Sequence, residues 1–242
     1  MAKSPRTFVL VHGMWHGGWC WSRVAEVLRA RGHTVTTPTH TGLGERMHLM
    51  SAAITLDTFV ADIVNHLKWE DLSAVVLVGH SFGGAPISGA ADQVRERIAK
   101  LIYLDAAIME NGESWFGLLP ADIVADRRQH ALEFSGGVSL PPAAPESFGV
   151  TNPDDTAWLM RRLTPHPFAT LVTPLKLAHR CSNGLPAHYI TCWDPTYRPA
   201  VLTRERAKER GWPVSPLDSG HDAMVSEPQA TADLLEKLAG EG

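Results

Sequence analysis

The stretch Ala74-Val-Val-Leu-Val-Gly79-His-Ser81-Phe-Gly83-Gly84 decides the fold. Its first five residues are apolar without alternation, the pattern of a strand buried on both faces of a parallel sheet. The strand runs directly into Gly-x-Ser-x-Gly, and glycine and alanine then open a helix through about Arg95. A serine on a sharp strand-to-helix turn sits on strained, crowded backbone. Glycines two before and two after leave room for that turn. The following helix aims its N-terminus at the serine and favours negative charge there. The five-residue pattern is common in isolation, and the strand before it and helix after it give it meaning. Ser81 is therefore the candidate nucleophile.

Working outward, the same alternation recurs. Phe8-Val-Leu-Val11 reads as a short buried strand, followed by a helix with Trp21, Val24 and Leu28 on one face that ends at Gly32. Thr34–Thr37 gives a second strand. Leu56, Phe59, Val60, Ile63, Val64 and Leu67 recur at helical spacing, with Thr55 placed to cap and Asp57 in the first turn. Leu101–Leu104, Tyr189–Cys192 and Trp212–Leu217 are three further strands, and Thr231–Leu238 is a closing helix with Pro228 near its start. Apolar strands separated by helices predict an α/β fold with a mostly parallel sheet of about six strands flanked by helices. Between Asp105 and Ala187 about eighty residues break the alternation and are rich in Pro and Gly, too long for a loop. They are read as an inserted cap, residues 107–186, over a core of 1–106 and 187–242. Short helices are expected near Pro120–Glu133 and Asp154–Leu163.

Composition narrows the function classes. With 242 residues, 44% hydrophobic and 20% charged, the chain suits one globular domain that needs no staples. A formal charge of −4 offers no basic face for nucleic acid or anionic lipid. No apolar run reaches membrane-spanning length. The start of the chain, Met1 to Thr7, lacks the apolar core and cleavage site of a signal peptide. Cys20, Cys181 and Cys192 are odd in number and without metal-type spacing, which points to a reducing cytoplasm. The twelve histidines form no set with a third metal ligand, and most are read as surface or loop residues.

A serine hydroxyl needs a base. His221, in Asp218-Ser-Gly-His-Asp-Ala-Met224, lies between the last strand and the last helix, and follows the serine in chain order. His80 adjoins the serine but points differently at such a turn, so it is read as packing. The acid that orients the base should sit at a strand end between Ser81 and His221. Asp194, in Tyr189-Ile-Thr-Cys-Trp-Asp194-Pro, is preferred; Asp105, in Tyr103-Leu-Asp105, is the competitor. An oxyanion needs two preorganised N–H groups. Phe82, after the nucleophile, supplies one, and Met14, in the loop after the first strand, supplies the other. Gly13 permits the close approach. Trp15, Trp115 and Phe116, with Phe148, Trp158 and Phe168, suggest an apolar pocket that accepts an aromatic group; packing within the cap is an equal alternative.

These motifs together resemble a known family. Phe8-Val-Leu-Val-His-Gly-Met-Trp-His-Gly-Gly-Trp-Cys-Trp21, Gly32-His33, Gly79-His-Ser-Phe-Gly-Gly84 and Gly220-His-Asp-Ala-Met-Val-Ser-Glu-Pro228 are similar to the plant methylesterase and hydroxynitrile lyase group of α/β-hydrolases. Thr41-Gly-Leu-Gly-Glu-Arg46, followed by His48-Leu49, resembles bacterial esterases of that group. The likeness covers residues 8–106 and 187–238. It implies the α/β-hydrolase fold with a sheet lacking the first two strands of larger relatives, a small cap, no cofactor and often a homodimer. It also implies a triad at Ser81, Asp194 and His221 and oxyanion groups at Met14 and Phe82. Lyases of the group carry a lysine after the catalytic histidine and a threonine after the first-strand histidine, where this chain has Asp222 and Gly13. Nothing would then stabilise departing cyanide. Hydrolysis of a small carboxylic ester or carbamate is the expectation. Amide or carbamate cleavage of an aromatic xenobiotic, and a slow-turnover ligand receptor on the same frame, are the alternatives.

Overall fold

The computed structural model describes residues 4–194 and 201–241. Met1–Lys3 of the N-terminal stretch, and Pro195 of the Asp-Pro pair, lie outside them. In chain order the elements are β1 (Thr7–Val11), α1 (Ser22–Ala30), β2 (Thr34–Thr36), α2 (Leu56–Trp69), β3 (Val75–His80), α3 (Gly84–Gln93) and β4 (Ile98–Leu104). There follow α4 (Ala121–Ser135), β5 (Ser139–Leu140), α5 (Pro153–Met160), β6 (His166–Pro167) and α6 (Ala169–Val172). The chain then forms β7 (Ala187–Cys192), α7 (Val201–Glu209), β8 (Val214–Leu217), α8 (Ala223–Ser226) and α9 (Pro228–Gly240).

Six strands form one sheet in the order β2-β1-β3-β4-β7-β8, every pair parallel. The sheet reverses direction of growth beside β1 and β3, so the strand ends there face a crevice, where α/β folds place their ligands. Helix α1 packs with α9 and α2 with α3, flanking the sheet. β3 is buried along its length, as its unbroken apolar run requires. The structure moves some boundaries. Ala74 turns at φ 49° and stays outside β3, whereas Gly79 and His80 continue the pairing with β4 up to the serine. β4 begins at Ile98, three residues before the apolar run, because Ile98 and Lys100 pair with β3 although Lys100 is polar.

The segment between β4 and β7 carries the two expected helices, as α4 and α5, and a two-residue antiparallel pairing of β5 with β6. It lies on the strand ends. Thr164 N–H donates to the Trp15 carbonyl at 2.9 Å, the Trp15 indole Nε1–H donates to the Leu140 carbonyl at 3.2 Å, and Arg23 Nη1 donates to Asp155 at 2.7 Å. Among the described residues no helix is long and apolar enough to cross a membrane.

Candidate active site

Every candidate residue from the core sits just past the C-terminal end of a parallel strand. Ser81 directly follows β3, the loop from His12 to His16 follows β1, Asp105 directly follows β4, and β8 feeds the loop that holds His221. Ser81 adopts φ 53°, a left-handed backbone that a non-glycine residue holds only when its surroundings enforce it. The enforcement is visible in the two glycines. A Cβ on Gly79 would lie 2.7 Å from the Gly83 carbonyl oxygen, and one on Gly83 would lie 2.7 Å from the His12 carbonyl oxygen. Neither position admits a side chain. The Ser81 carbonyl is also held, by the Ala107 N–H at 2.8 Å.

The loop after β1 is pressed onto the serine. A Cβ on Gly13 would come within 2.7 Å of the Ser81 Cβ, so glycine is what lets the following Met14 peptide approach. Phe82 and Met14 are both buried. Phe82 packs between Trp115 and His166, with ring centroids at 6.2 and 5.4 Å.

His221 is buried, and its Nδ1 donates to Asp105 Oδ2 at 2.8 Å. This corrects the preferred acid. Asp105 directly follows the last residue of β4 and turns at φ 43°, which brings its carboxylate under the imidazole. β7 stops at Cys192, two residues before Asp194. Asp194 is exposed and lines a separate surface groove with Asp155, Asp218 and Glu227. The other oxygen of Asp105, Oδ1, accepts from Arg204 Nε and Nη2 at 3.2 and 3.1 Å and from the Cys192 N–H at 3.4 Å. Arg204, on α7, also donates to the Cys192 carbonyl. No feature of its sequence neighbourhood marked it in advance.

The expected surface placement of the histidines is a second correction, although His12, His16, His33, His40 and His221 do lie outside helices and strands. His12, His16, His33, His40, His80, His166, His188 and His221 are buried, most of them around the strand ends rather than on the surface. His80 Nε2–H donates to the His221 carbonyl at 3.0 Å and braces that loop. Burial and the neighbouring His221 push His80 down to about 3. Burial is also the main cause of the low values of His12, His40 and His166. His16 runs the other way. Burial alone would lower it, but the Asp222 carboxylate 3.0 Å away outweighs burial and raises it. Burial pushes Asp222 upward too, yet His16 and the other imidazoles bring it below the usual carboxylate range. The spacing His12-x-x-x-His16 and the acid directly after His221 were the sequence signals of this pair.

These directions set a pH dependence. The unfolded chain takes up protons on its histidines near pH 6.5, while folded His12, His40, His80 and His166 stay neutral below it. Stability therefore falls as pH drops below about 6.5, for His80 down to about 3, by up to about 1.4 kcal/mol per pH unit for each group while it resists protonation. His16 does not offset the fall, because its contribution is already complete below pH 6.5 and is lost only as pH rises through its folded value. The urea midpoint should decline steeply between pH 7 and pH 5. A midpoint that stays level over that range would contradict the neutral state of these imidazoles.

Among the described residues, one trio has donor atoms close enough for a metal ion: those of His80, His221 and Asp222 lie within 4.8 Å of one another. Their proximity follows from the contacts already described: His221 to Asp105, His80 to the His221 carbonyl and Asp222 to His16. The three cysteines are buried thiols.

Trp15, at φ 64°, lines a cavity of about 430 Å³ with Ile123, Arg127, Leu140 and Pro141. Ser81 is not part of that lining; Trp15, which is, belongs to the loop after β1 that also holds Gly13 and Met14. The Phe148 ring lies 5.6 Å from the Trp15 ring and 6.5 Å from the His221 ring. Trp115 faces Phe82, whereas Phe116 packs on Phe168 at 5.5 Å.

A strained serine after β3 with a buried histidine–aspartate pair at the neighbouring strand ends defines the α/β-hydrolase class. The chain belongs to that family: its model, described as the alpha/beta hydrolase family, matches residues 8–234. A carbendazim hydrolyzing esterase from Nocardioides sp. (strain SG-4G) is 41% identical over 97% of this chain and 99% of its own length. Methylesterase 17 of Arabidopsis thaliana is 26% identical, over 98% of this chain and 93% of its own. Among solved structures, an extracellular α/β-hydrolase from a Paenibacillus species, described as sharing structural and functional homology with tobacco salicylic acid binding protein 2, superposes with a TM-score of 0.85. It is 26% identical and covers 96% of this chain and 98% of its own. The relatives are named as esterases and methylesterases, consistent with a carboxylic ester hydrolase.

Proposed function

We propose that this chain hydrolyses a small carboxylic ester or carbamate through an acyl-enzyme on Ser81. The observation that carries the reading is the 2.8 Å pair of His221 with Asp105, together with a serine directly after β3 held at φ 53°. In the first half-reaction His221 Nε2 takes the Ser81 proton as Oγ bonds to the substrate carbonyl carbon. Oxygen becomes negative and is met by the Met14 and Phe82 N–H groups. The tetrahedral intermediate collapses, the bond to the alcohol breaks, and the imidazolium returns its proton to the departing alkoxide. In the second half, water attacks the acyl carbon, gives its proton to His221, and serine leaves with that proton. Asp105 holds the imidazole in the tautomer with hydrogen on Nδ1, and Arg204 holds Asp105.

The segment from 107 to 186 acts as the cap. Trp15, Trp115 and Phe148, with the cavity beside Trp15, supply apolar and aromatic surface for one side of the substrate. Gly13 leaves the serine accessible to the carbonyl. Similarity to the carbendazim hydrolyzing esterase favours an aromatic group in that space. A buried acid at Asp222, in place of a lysine, gives departing cyanide no cation at that position, which supports hydrolysis over lyase chemistry. A cytoplasmic location and a homodimer complete the proposal.

The test is a substrate panel: p-nitrophenyl acetate, a phenyl methyl carbamate, carbendazim, acetanilide and mandelonitrile. Steady turnover of the ester and the carbamate, with a pre-steady-state burst of nitrophenol, is expected, and acetanilide should react far more slowly because its leaving group is poorer. Cyanide release from mandelonitrile, or binding of the esters without turnover, would overturn the reading.

A further inference from the structure

The buried pair of Asp222 and His16 joins two parts of the site that the backbone brings in from opposite ends of the chain. Asp222 directly follows His221. Its Oδ2 lies 3.0 Å from His16 Nε2, and its Oδ1 lies 3.7 Å from His80 Nε2. On the far side of the ring, His16 Nδ1 lies 2.6 Å from the Met14 carbonyl oxygen. A carbonyl oxygen only accepts, so Nδ1 carries a hydrogen. With a carboxylate at Nε2, both ring nitrogens donate and the imidazole is a cation. Both side chains are out of solvent, with exposures of 2% for His16 and 0% for Asp222.

A buried ion pair is weak evidence of stabilisation, because well-packed apolar residues of the same volume serve as well. Its position is more informative. His16 Nδ1 fixes the carbonyl of Met14, and the Gly13–Met14 peptide before it lies against Ser81. Asp222 fixes the other end of the same ring to the residue after His221. His80, by donating to the His221 carbonyl, closes the circuit from the residue before the serine.

We propose that the Asp222–His16 pair is a positioning device that sets the Met14 peptide, one donor to the developing oxyanion, at a fixed distance from the His221 loop. The inference rests on the acyl-enzyme reading above. Neither residue touches substrate; both act through Met14. The pair also gives His16 a hydrogen bond that a neutral ring could not make while serving Met14, so loss of either charge loosens the loop.

The distinguishing feature is which state suffers. A donor that is better aligned for the tetrahedral state than for bound substrate changes kcat and leaves KM nearly unchanged. Asp222→Asn and His16→Gln are each expected to lower kcat for p-nitrophenyl acetate about 10- to 100-fold, with KM within about threefold. Affinity for phenylboronic acid, which forms a tetrahedral adduct with the serine, should fall by the same factor as kcat/KM. The two substitutions combined should be no worse than either alone, because they break one link. Thermal unfolding reports whether each variant folds. The apolar replacement His16→Phe with Asp222→Leu keeps the test decisive if a single variant does not, since it leaves no unpaired buried charge. It should fold and still lose kcat. A folded apolar double variant with wild-type kcat, or single variants whose boronate affinity is unchanged, would sink the positioning role. Failure of the wild-type protein to bind phenylboronic acid at Ser81 would instead sink the acyl-enzyme reading beneath it, so the two failures are told apart.

Discussion

Ser81→Ala is expected to lower kcat/KM for p-nitrophenyl acetate by at least about 10³-fold while leaving the fold intact. In the proposed mechanism the serine oxygen forms the acyl bond. The adjacent histidine and other buried hydroxyls are committed to other partners: His80 is turned away to the His221 carbonyl, and Thr39, Ser88 and Thr164 bond elsewhere in the structure. The activity left after substitution would be that of a site binding the ester and its oxyanion without a nucleophile, which in serine hydrolases still exceeds water. Alanine at the same left-handed φ of 53° carries the same backbone strain as serine, so thermal stability should shift little. Wild-type activity in a folded Ser81→Ala protein would remove the covalent mechanism altogether.

The second large effect separates the two acids. Asp105→Asn should cost about 10³- to 10⁴-fold in kcat, because an amide can present its NH₂ to His221 and select the tautomer with the proton on the wrong nitrogen. It also leaves the Arg204 guanidinium without its carboxylate partner. The substitution is nearly isosteric, so packing around β4 is preserved and the loss reads on chemistry. Asp194→Asn should stay within about twofold of wild type, since that side chain is exposed and lines a groove that does not include His221. If Asp194→Asn instead produced the large loss and Asp105→Asn did not, the His221–Asp105 contact at 2.8 Å would not be the functional one.

This pair of acids also marks how far the chain could be read without coordinates. Ser81 and His221 announce themselves locally: one by an unbroken apolar strand running into glycine-flanked serine, the other by its place between the last strand and the last helix. The six strands are legible for the same reason, because a strand buried on both faces has few polar residues to blur it. The acid is not local. β4 and β7 both lead into an aspartate, and the choice turns on two facts that no pattern encodes. Asp105 follows its strand at once and turns left-handed, whereas β7 ends two residues short of Asp194.

The buried histidines were missed for a related cause. His12, His40 and His166 sit in irregular segments or at a two-residue strand, where neither a two-residue nor a 3.6-residue period betrays burial. Their environment comes from distant neighbours: the His40 ring stacks on Phe59 at 4.1 Å, and the His166 ring meets Phe82 edge-on at 5.4 Å. Arg204 is likewise meaningful only through Asp105, 99 positions away in the chain. The segment from 107 to 186 gave up its two main helices to inspection. Its packing on Trp15 and its turn at Phe148 depend on contacts with loops far off in sequence.

The central claim, that Ser81 is the covalent nucleophile, is tested most directly by stoichiometric labelling with a fluorophosphonate followed by peptide mapping. One equivalent should add to Ser81 and abolish ester hydrolysis, and Ser81→Ala should take up none. An adduct on another residue with loss of activity, or full activity after Ser81 is labelled, would contradict it.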